Sequence, residues 1–274
     1  MIGSIIGDII GSTYEFNPTK DYNFQLFTKE MTYTDDSVLT FAVIESLLDK
    51  IPFDKSIHKW GNQFPGRGYG LRFSQWLASE NPQPYNSFGN GSAMRASPVG
   101  LILPSRMQVL KCAKLSAEAT HNHPEGIKGA QAVALAIHLA CQGVDKSVIK
   151  REIENEFHYD LSKSYQQIQP VYKFDETCQG SVPESFIAFF ESTDFESAIR
   201  LAVSLGGDAD TQACIVGGIA EAYYKEIPQD ITDKCISLLT PEMKKILKRL
   251  YKEYTLEKST LADRMESEGF GSIG

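Results

Sequence analysis

Apolar residues recur along this chain at helical spacing. In the first twelve residues Ile2, Ile5, Ile6, Ile9 and Ile10 cover one broad side of a helix. Gly3, Gly7 and Gly11 stand four apart and line one stripe of it. Each glycine weakens a helix by roughly 1 kcal/mol relative to alanine. Three in one stripe predict that another backbone, or a ligand, comes very close.

The same period predicts helices at 35–49, 54–63, 67–79, 106–119, 124–142, 144–157, 184–191, 194–205, 209–225, 229–239 and 241–257. Several starts are marked by capping residues. Thr34 precedes Asp35 and Asp36, Thr193 precedes Asp194 and Glu196, and Thr240 precedes Pro241. Gly143 stands where the long 124–142 helix should end. Period-two alternation is sparse, and no strands alternate with helices. The pattern predicts one compact all-α domain, with an α/β sheet as the alternative. Residues 158–183 are the least regular stretch and read as a surface excursion. The polar, Gly-rich end divides the chain into a domain over 1–258 and a tail over 259–274.

Composition narrows the function classes. A net charge of −8 over 274 residues repels phosphate backbones weakly, so extended nucleic-acid binding is not expected. Cys112, Cys141, Cys178, Cys214 and Cys235 are scattered, with no CxxC pair. That argues against a disulfide framework or zinc knuckle and for a cytoplasmic protein. The apolar N-terminal run is short, lacks a basic flank and is interrupted by Asp8, unlike a signal peptide or membrane anchor. No membrane association is expected, and the chain is expected to be a monomer.

Two segments carry candidate chemistry. Thr34-Asp35-Asp36 and Asp208-Ala209-Asp210-Thr211 both open apolar helices. For either alone, capping and the helix dipole explain Asp and Thr equally well. Together they would gather four carboxylates at two helix ends, where repulsion exceeds what dipoles worth roughly 0.3–1 kcal/mol can offset. Divalent cations would neutralise them. Oxygen ligands without a paired His or Cys favour Mg²⁺ or Mn²⁺ over zinc. Asp8, on the glycine-striped helix, needs a buried partner or a polar cavity.

Three further segments are less specific. Ser87 to Leu101 is Gly-rich, and Gly89 and Gly91 around Asn90 expose amides suited to a phosphate or ribose. It lacks the lysine and spacing of a P-loop. His121 and His123 precede Pro124 and read as donors to a phosphate or sugar, or as a zinc pair without a third ligand. His138 reads as a packed core histidine. Gly66-Arg67-Gly68-Tyr69-Gly70 matches no phosphate fingerprint and is assigned no chemistry.

Five motifs in one order resemble the ADP-ribosylglycohydrolase family. They are G-x-x-x-G-D-x-x-G-x-x-Y-E from Gly3 to Glu15, T-D-D from Thr34 to Asp36 and G-N-G-x-x-M-R from Gly89 to Arg95. T-H-x-H-P-x-G from Thr120 to Gly126 and G-G-D-x-D-T from Gly206 to Thr211 complete the set. The resemblance covers about residues 1–225. It implies a single-domain orthogonal helical bundle with a dimetal cleft holding two Mg²⁺ or Mn²⁺. Thr34, Asp35, Asp36, Asp208, Asp210 and Thr211 would be the metal ligands. Glu15 would stand beside them as ligand or gate. Ser87, Phe88, Gly89, Asn90 and Gly91 would contact the diphosphate and distal ribose, with His123 nearby.

Two positions depart from the family pattern. Ser37 stands where the metal motif usually has a second threonine, which keeps a hydroxyl. Ser87 stands where nitrogenase-type members carry an acidic residue, as in the serine- and polymer-directed type. That argues against an arginine-linked substrate.

The implied reaction is hydrolysis at the anomeric carbon of an ADP-ribosylated substrate, whose acceptor is a protein side chain, a nucleobase, an O-acetyl group or poly(ADP-ribose), through an oxocarbenium-like transition state. Asp36 or Glu15 would orient or deprotonate the water. The rival reading is an immunity or regulatory protein that binds and blocks an ADP-ribosyltransferase or senses ADP-ribose. A third is a structural relative that lost the chemistry, against which the full set of acidic residues speaks.

Overall fold

A computed structural model describes residues 1–253. The chain beyond them, including the tail expected over 259–274, lies outside the described residues. Among the described residues there are fifteen helices and no strand, so the all-α reading holds. Gly89 and Thr177 form an isolated antiparallel bridge. No described helix is long and apolar enough to cross a membrane.

The first four helices are α1 (Ile2–Gly11), α2 (Asp35–Asp49), α3 (Phe53–Gln63) and α4 (Leu71–Leu77). Then come α5 (Gly91–Met94), α6 (Ser97–Ile102), α7 (Arg106–Glu118) and α8 (Pro124–Cys141). These are followed by α9 (Lys146–Phe157), α10 (Tyr165–Ile168), α11 (Cys178–Glu191) and α12 (Phe195–Ser204). The last three are α13 (Ala209–Tyr224), α14 (Gln229–Ser237) and α15 (Pro241–Glu253).

The centre is the pair α1 and α13. Every residue of α1 is buried, which is why its sequence is apolar nearly all round. The glycine stripe meets a stripe of small residues on α13, also four apart: Ala209, Ala213 and Gly217. A Cβ at Gly11 would stand 2.5 Å from the Ala209 carbonyl oxygen, and one at Gly7 would overlap the Ala213 carbonyl. Helix backbones thus touch along the whole pair. α2, α14 and α12 pack around it, and α8 lies against α13 with α6 and α7 outside it.

Helix boundaries moved where local chemistry misled. α4 starts at Leu71 rather than 67, because Gly66 and Gly68 take positive φ of 74° and 95°. α11 starts at Cys178 rather than 184, although Pro183 lies inside it. Proline there removes one helix bond, but the Thr177 hydroxyl accepts the Gly180 N–H at 3.1 Å and fixes an earlier start. The expected excursion over 158–183 therefore shrinks and contains the short helix α10. The helices α5 and α6 form inside what reads as a Gly-rich loop. His138 is buried, as expected of a core histidine, and its Nε2 lies 2.9 Å from the Gln142 side chain.

The α1–α13 contact generates a prediction. Gly7→Ala adds a methyl that overlaps the α13 backbone, and overpacking costs about 1–3 kcal/mol. Against this stands a helix-propensity gain of roughly 1 kcal/mol. A melting temperature several degrees lower is expected, whereas Lys111→Ala on the exposed face of α7 should leave it nearly unchanged. Equal melting temperatures for the two variants would show that the stripe is not a tight contact.

Candidate metal centre and cleft

Burying a carboxylate requires donors, and α2 supplies them to Asp8. The Thr34 and Ser37 N–H groups donate to Asp8 Oδ2, each at 3.0 Å. The Thr34 hydroxyl donates to Oδ1 at 2.6 Å, and the Ser37 hydroxyl donates to Oδ2. A helix start leaves its first amides unpaired, so Asp8 caps α2 from a different helix. Ser37 supplies the hydroxyl that the motif requires. Both Asp8 oxygens are taken up by these donors.

The two Asp-rich helix starts meet. Thr34, Asp36, Asp208, Asp210 and Thr211 are all buried. Asp8, Asp36 and Asp210 each offer an oxygen within 4.8 Å of the others, and Glu15, Asp208 and Asp210 form a second such group. Asp210 belongs to both. Asp36 Oδ2 accepts the Thr211 hydroxyl at 3.3 Å, while Asp36 Oδ1 is buried without a partner. Asp35 stands outside both groups, on the cavity wall.

Repulsion is built into this cluster. Burial, then the Asp210 carboxylate, raises Glu15 up to about 8. Burial raises Asp208 to about 6. Burial and the neighbouring aspartates hold Asp35, Asp36 and Asp210 well above the ordinary carboxylate range. Like charges cannot all ionise together without a cation. The donor set is carboxylate and hydroxyl oxygen only, and Asp36 Oδ1 is orphaned. These residues fit a hard divalent cation.

Above the acids lies a cavity of about 340 Å³. Ser87, Gly89, Asn90 and Gly91 form one wall of it. The loop is tied to the acids: Asn90 N–H donates to the Glu176 carbonyl at 2.8 Å, and Asn90 Nδ2 donates to Asp208 Oδ2 at 2.7 Å. Phe88 points away enough to be 43% exposed, outside the cavity lining. His123 is also outside it. It caps α8 by accepting the Glu125 N–H at 3.1 Å and meets Phe88 edge to face at 5.3 Å.

His121, two residues earlier, lines the cavity instead. Arg95 Nη2 donates to Thr120 Oγ1 at 2.8 Å, and Thr120 Oγ1 lies 2.6 Å from His121 Nδ1. The Thr120 hydroxyl, which accepts from Arg95, thus holds the His121 ring by Nδ1. Burial, then Arg95 and Arg72, keep the ring neutral by lowering its pKa well below the usual value. Nε2 lies 3.2 Å from where a Gly91 Cβ would stand, which sets this ring nitrogen beside the glycine loop. Arg95 itself is fully buried, with Nε and Nη1 unpartnered, and burial lowers it to about 10.

Two more parts of the site escaped the sequence reading. Gly68 and Gly70 line the cavity, although the 66–70 run was assigned no chemistry. Gly68 lets the chain pass close to Asp35, whose Oδ1 would lie 3.2 Å from a Cβ there. The Asp35 N–H donates to the Arg67 carbonyl at 2.7 Å, so this loop also satisfies the start of α2. Two glycines at alternate positions were the available sign.

Comparison with known proteins agrees with this geometry. Residues 1–260 match the family described as ADP-ribosylglycohydrolase. The chain is 28% identical over 317 residues to ADP-ribosylhydrolase ARH3 of Mus musculus, covering 86% of each chain. It is 27% identical over 324 residues to ADP-ribosylhydrolase ARH3 of Homo sapiens, covering 86% of this chain and 87% of that one. A solved structure of an ADP-ribosylglycohydrolase-related protein complex has the same fold. Its TM-score is 0.73 at 24% identity, covering 93% of this chain and 96% of that one.

The raised carboxylates set a pH dependence. Glu15 rises from 4.5 to about 8 and Asp208 from 3.8 to about 6. Between those limits the folded chain binds more protons than the unfolded chain, so its stability falls as pH rises. The metal-free protein should melt at a lower temperature at pH 8 than at pH 5. Mg²⁺ should raise the melting temperature more at pH 8, where it takes the place of protons. A metal-free melting temperature that holds steady or rises over this range would contradict the repulsive cluster.

Proposed function

The chain belongs to the ADP-ribosylglycohydrolase family, and we propose from this that it hydrolyses the glycosidic bond between ADP-ribose and an acceptor in a divalent-metal-dependent reaction. The observation that carries the reading is the pair of buried acidic groups sharing Asp210 at the floor of the cleft. Thr34, Asp36, Asp208, Asp210 and Thr211 would hold two Mg²⁺ or Mn²⁺, with Asp35 at their edge. Bound there, the ions would polarise a water and the ribose hydroxyls. Asp8 holds Thr34 and the α2 start in register for that set.

The protein's own groups would do the rest. Ser87, Gly89, Asn90 and Gly91 would line the diphosphate and distal ribose, with the Ser87 hydroxyl and the Gly91 N–H as donors. The His121 ring adds a neutral polar group to that wall. Phe88 and His123 stand at the outer edge, where an adenine could rest against them. Glu15 or Asp36 would orient or deprotonate the water. Glu15 is the better placed for proton transfer, because it lines the cavity and is only half-buried, whereas Asp36 is buried among the residues that would hold the metals. The neutral Ser87 favours an O-linked acceptor, such as serine, O-acetyl-ADP-ribose or the polymer, over arginine.

Three results are expected. Chelation should abolish release of ADP-ribose, and Mg²⁺ or Mn²⁺ should restore it. Across a panel of serine-linked, arginine-linked, O-acetyl and polymeric substrates, the O-linked ones should turn over fastest. Glu15→Gln should lower kcat by about 10²–10⁴-fold, with the Kd for ADP-ribose within about tenfold of wild type. Unchanged turnover in the variant would remove Glu15 from the chemistry and leave Asp36. A protein that binds ADP-ribose but releases none from any acceptor would favour the blocking or sensing protein.

A further inference from the structure

Between α1 and α2 the chain makes a long excursion, residues 12–33, which carries Glu15. Contacts within the excursion fix part of its shape: the Thr13 and Thr28 hydroxyls meet at 2.7 Å, Tyr14 donates to the Gln25 carbonyl at 2.6 Å, and the Tyr14 and Phe24 rings meet edge to face at 4.8 Å. Arg200 holds it to the body at the Tyr22 and Phe24 carbonyls and Arg67 at Tyr33, while Lys20 holds it to the Leu205–Gly207 turn. The Lys20 ammonium donates to the carbonyls of Gln169 at 2.6 Å and Tyr172 at 2.8 Å, and to that of Leu205. Gln169 answers from the other side: its Nε2 donates to the Lys20 carbonyl at 2.9 Å and to the Ser204 carbonyl at 3.1 Å.

The third of those carbonyls matters most. Leu205 caps the C-terminus of α12, where free carbonyls carry the negative end of the helix dipole. The chain then turns through Gly206, at φ of 65°, and Gly207 before reaching Asp208. Both glycines are pinned. A Cβ at Gly206 would stand 2.9 Å from Lys20 Cε and 3.0 Å from the Thr19 carbonyl oxygen. A Cβ at Gly207 would overlap the Tyr172 ring. Tyr172 is itself fixed, donating to the Gly180 carbonyl at 2.7 Å and accepting from Gln212 Nε2 at 3.2 Å. Three segments far apart in sequence thus close on one ammonium, immediately before the first acid of the second metal motif.

We propose that Lys20 is a positioning residue for the metal centre: by bracketing the Glu15 excursion to the Leu205–Gly207 turn, it fixes Glu15 and Asp208 relative to one another. This rests on the metal-dependent reading above. Glu15, Asp208 and Asp210 form one of the two acidic groups, and two of its three members lie on the segments that Lys20 joins. Without the bracket, α1, α13 and Asn90 keep Asp8, Asp208 and Asp210 in place, while Glu15 loses its fixed distance from them. The first loss is therefore in cation affinity and in the chemical step, not in the fold.

The test uses the full chain with Mn²⁺ calorimetry, turnover and melting temperature. Lys20→Met keeps the stem and removes the donors, Lys20→Arg keeps a charged donor, and Gln169→Ala opens the bracket from its other side. Lys146→Met is the control: that ammonium also donates to carbonyls, those of Phe189 and Ser192, but far from the acids. Misplacing a reacting group by about 1 Å can cost about 10²-fold. Lys20→Met should weaken Mn²⁺ binding and lower kcat by about 10–10²-fold on that scale, with KM nearly unchanged. Gln169→Ala should act in the same direction, Lys20→Arg should recover most of both losses, and Lys146→Met should change only the melting temperature. Wild-type Mn²⁺ affinity and kcat in folded Lys20→Met or Gln169→Ala would overturn the bracket, as would equal losses in Lys146→Met. A wild-type protein that takes up no Mn²⁺ would instead contradict the metal reading and the bracket with it.

Discussion

The close approach of α1 and α13 governs where the acids of the cleft stand. Small residues spaced four apart on both helices let the backbones touch, and any larger side chain would separate them. Asp8 follows Gly7 on one helix, and Asp210 follows Ala209 on the other. Their carboxylates meet because their backbones do. Asp8 then reaches sideways to cap α2, which brings Thr34 and Asp36 into the same space. One packing constraint thus aligns three helices around a polar point. The polar point in turn explains why a long apolar helix tolerates an aspartate at its centre.

That arrangement has an electrostatic cost that packing must overcome. Five aspartates and one glutamate converge in a largely buried space, and each raises the others' affinity for protons. Asp8 takes four donors from the protein, whereas Asp36 Oδ1 has none. A design meant only to fold would have provided more donors or fewer acids. The unmet demand is for positive charge with oxygen ligands. The glycine wall opposite offers the Ser87 hydroxyl and the Gly91 N–H, so the cleft joins a cation-seeking floor to a wall with donors for an anion. A substrate with a ribose at one end of a diphosphate suits both.

Much of this was legible in sequence because the informative signals were local or periodic. The Gly3, Gly7 and Gly11 stripe declared a close contact, and the capped starts at Thr34 and Asp208 declared acidic helix ends. What escaped depends on tertiary placement. His121 and His123 are chemically alike in sequence; only the helix that starts at Pro124 turns one into a cap and the other into the cleft. Gly66 to Gly70 matched no fingerprint because its task is to pass close to Asp35, a contact with no sequence pattern of its own. Pro183 hid the start of α11 because a proline normally ends a helix, whereas here Thr177 caps it six residues earlier. Lys20 lies in an irregular excursion where a lysine reads as solvated surface.

The central claim is that two cations share Asp210, and the magnetism of Mn²⁺ tests it most directly. Electron paramagnetic resonance of the wild-type protein titrated with Mn²⁺ should give an exchange-coupled pair, the signature of a two-metal site. Asp210→Asn should abolish the coupled signal while Lys111→Ala retains it. A wild-type spectrum of isolated Mn²⁺ ions at full occupancy, or of no bound ion, would contradict the shared-aspartate account.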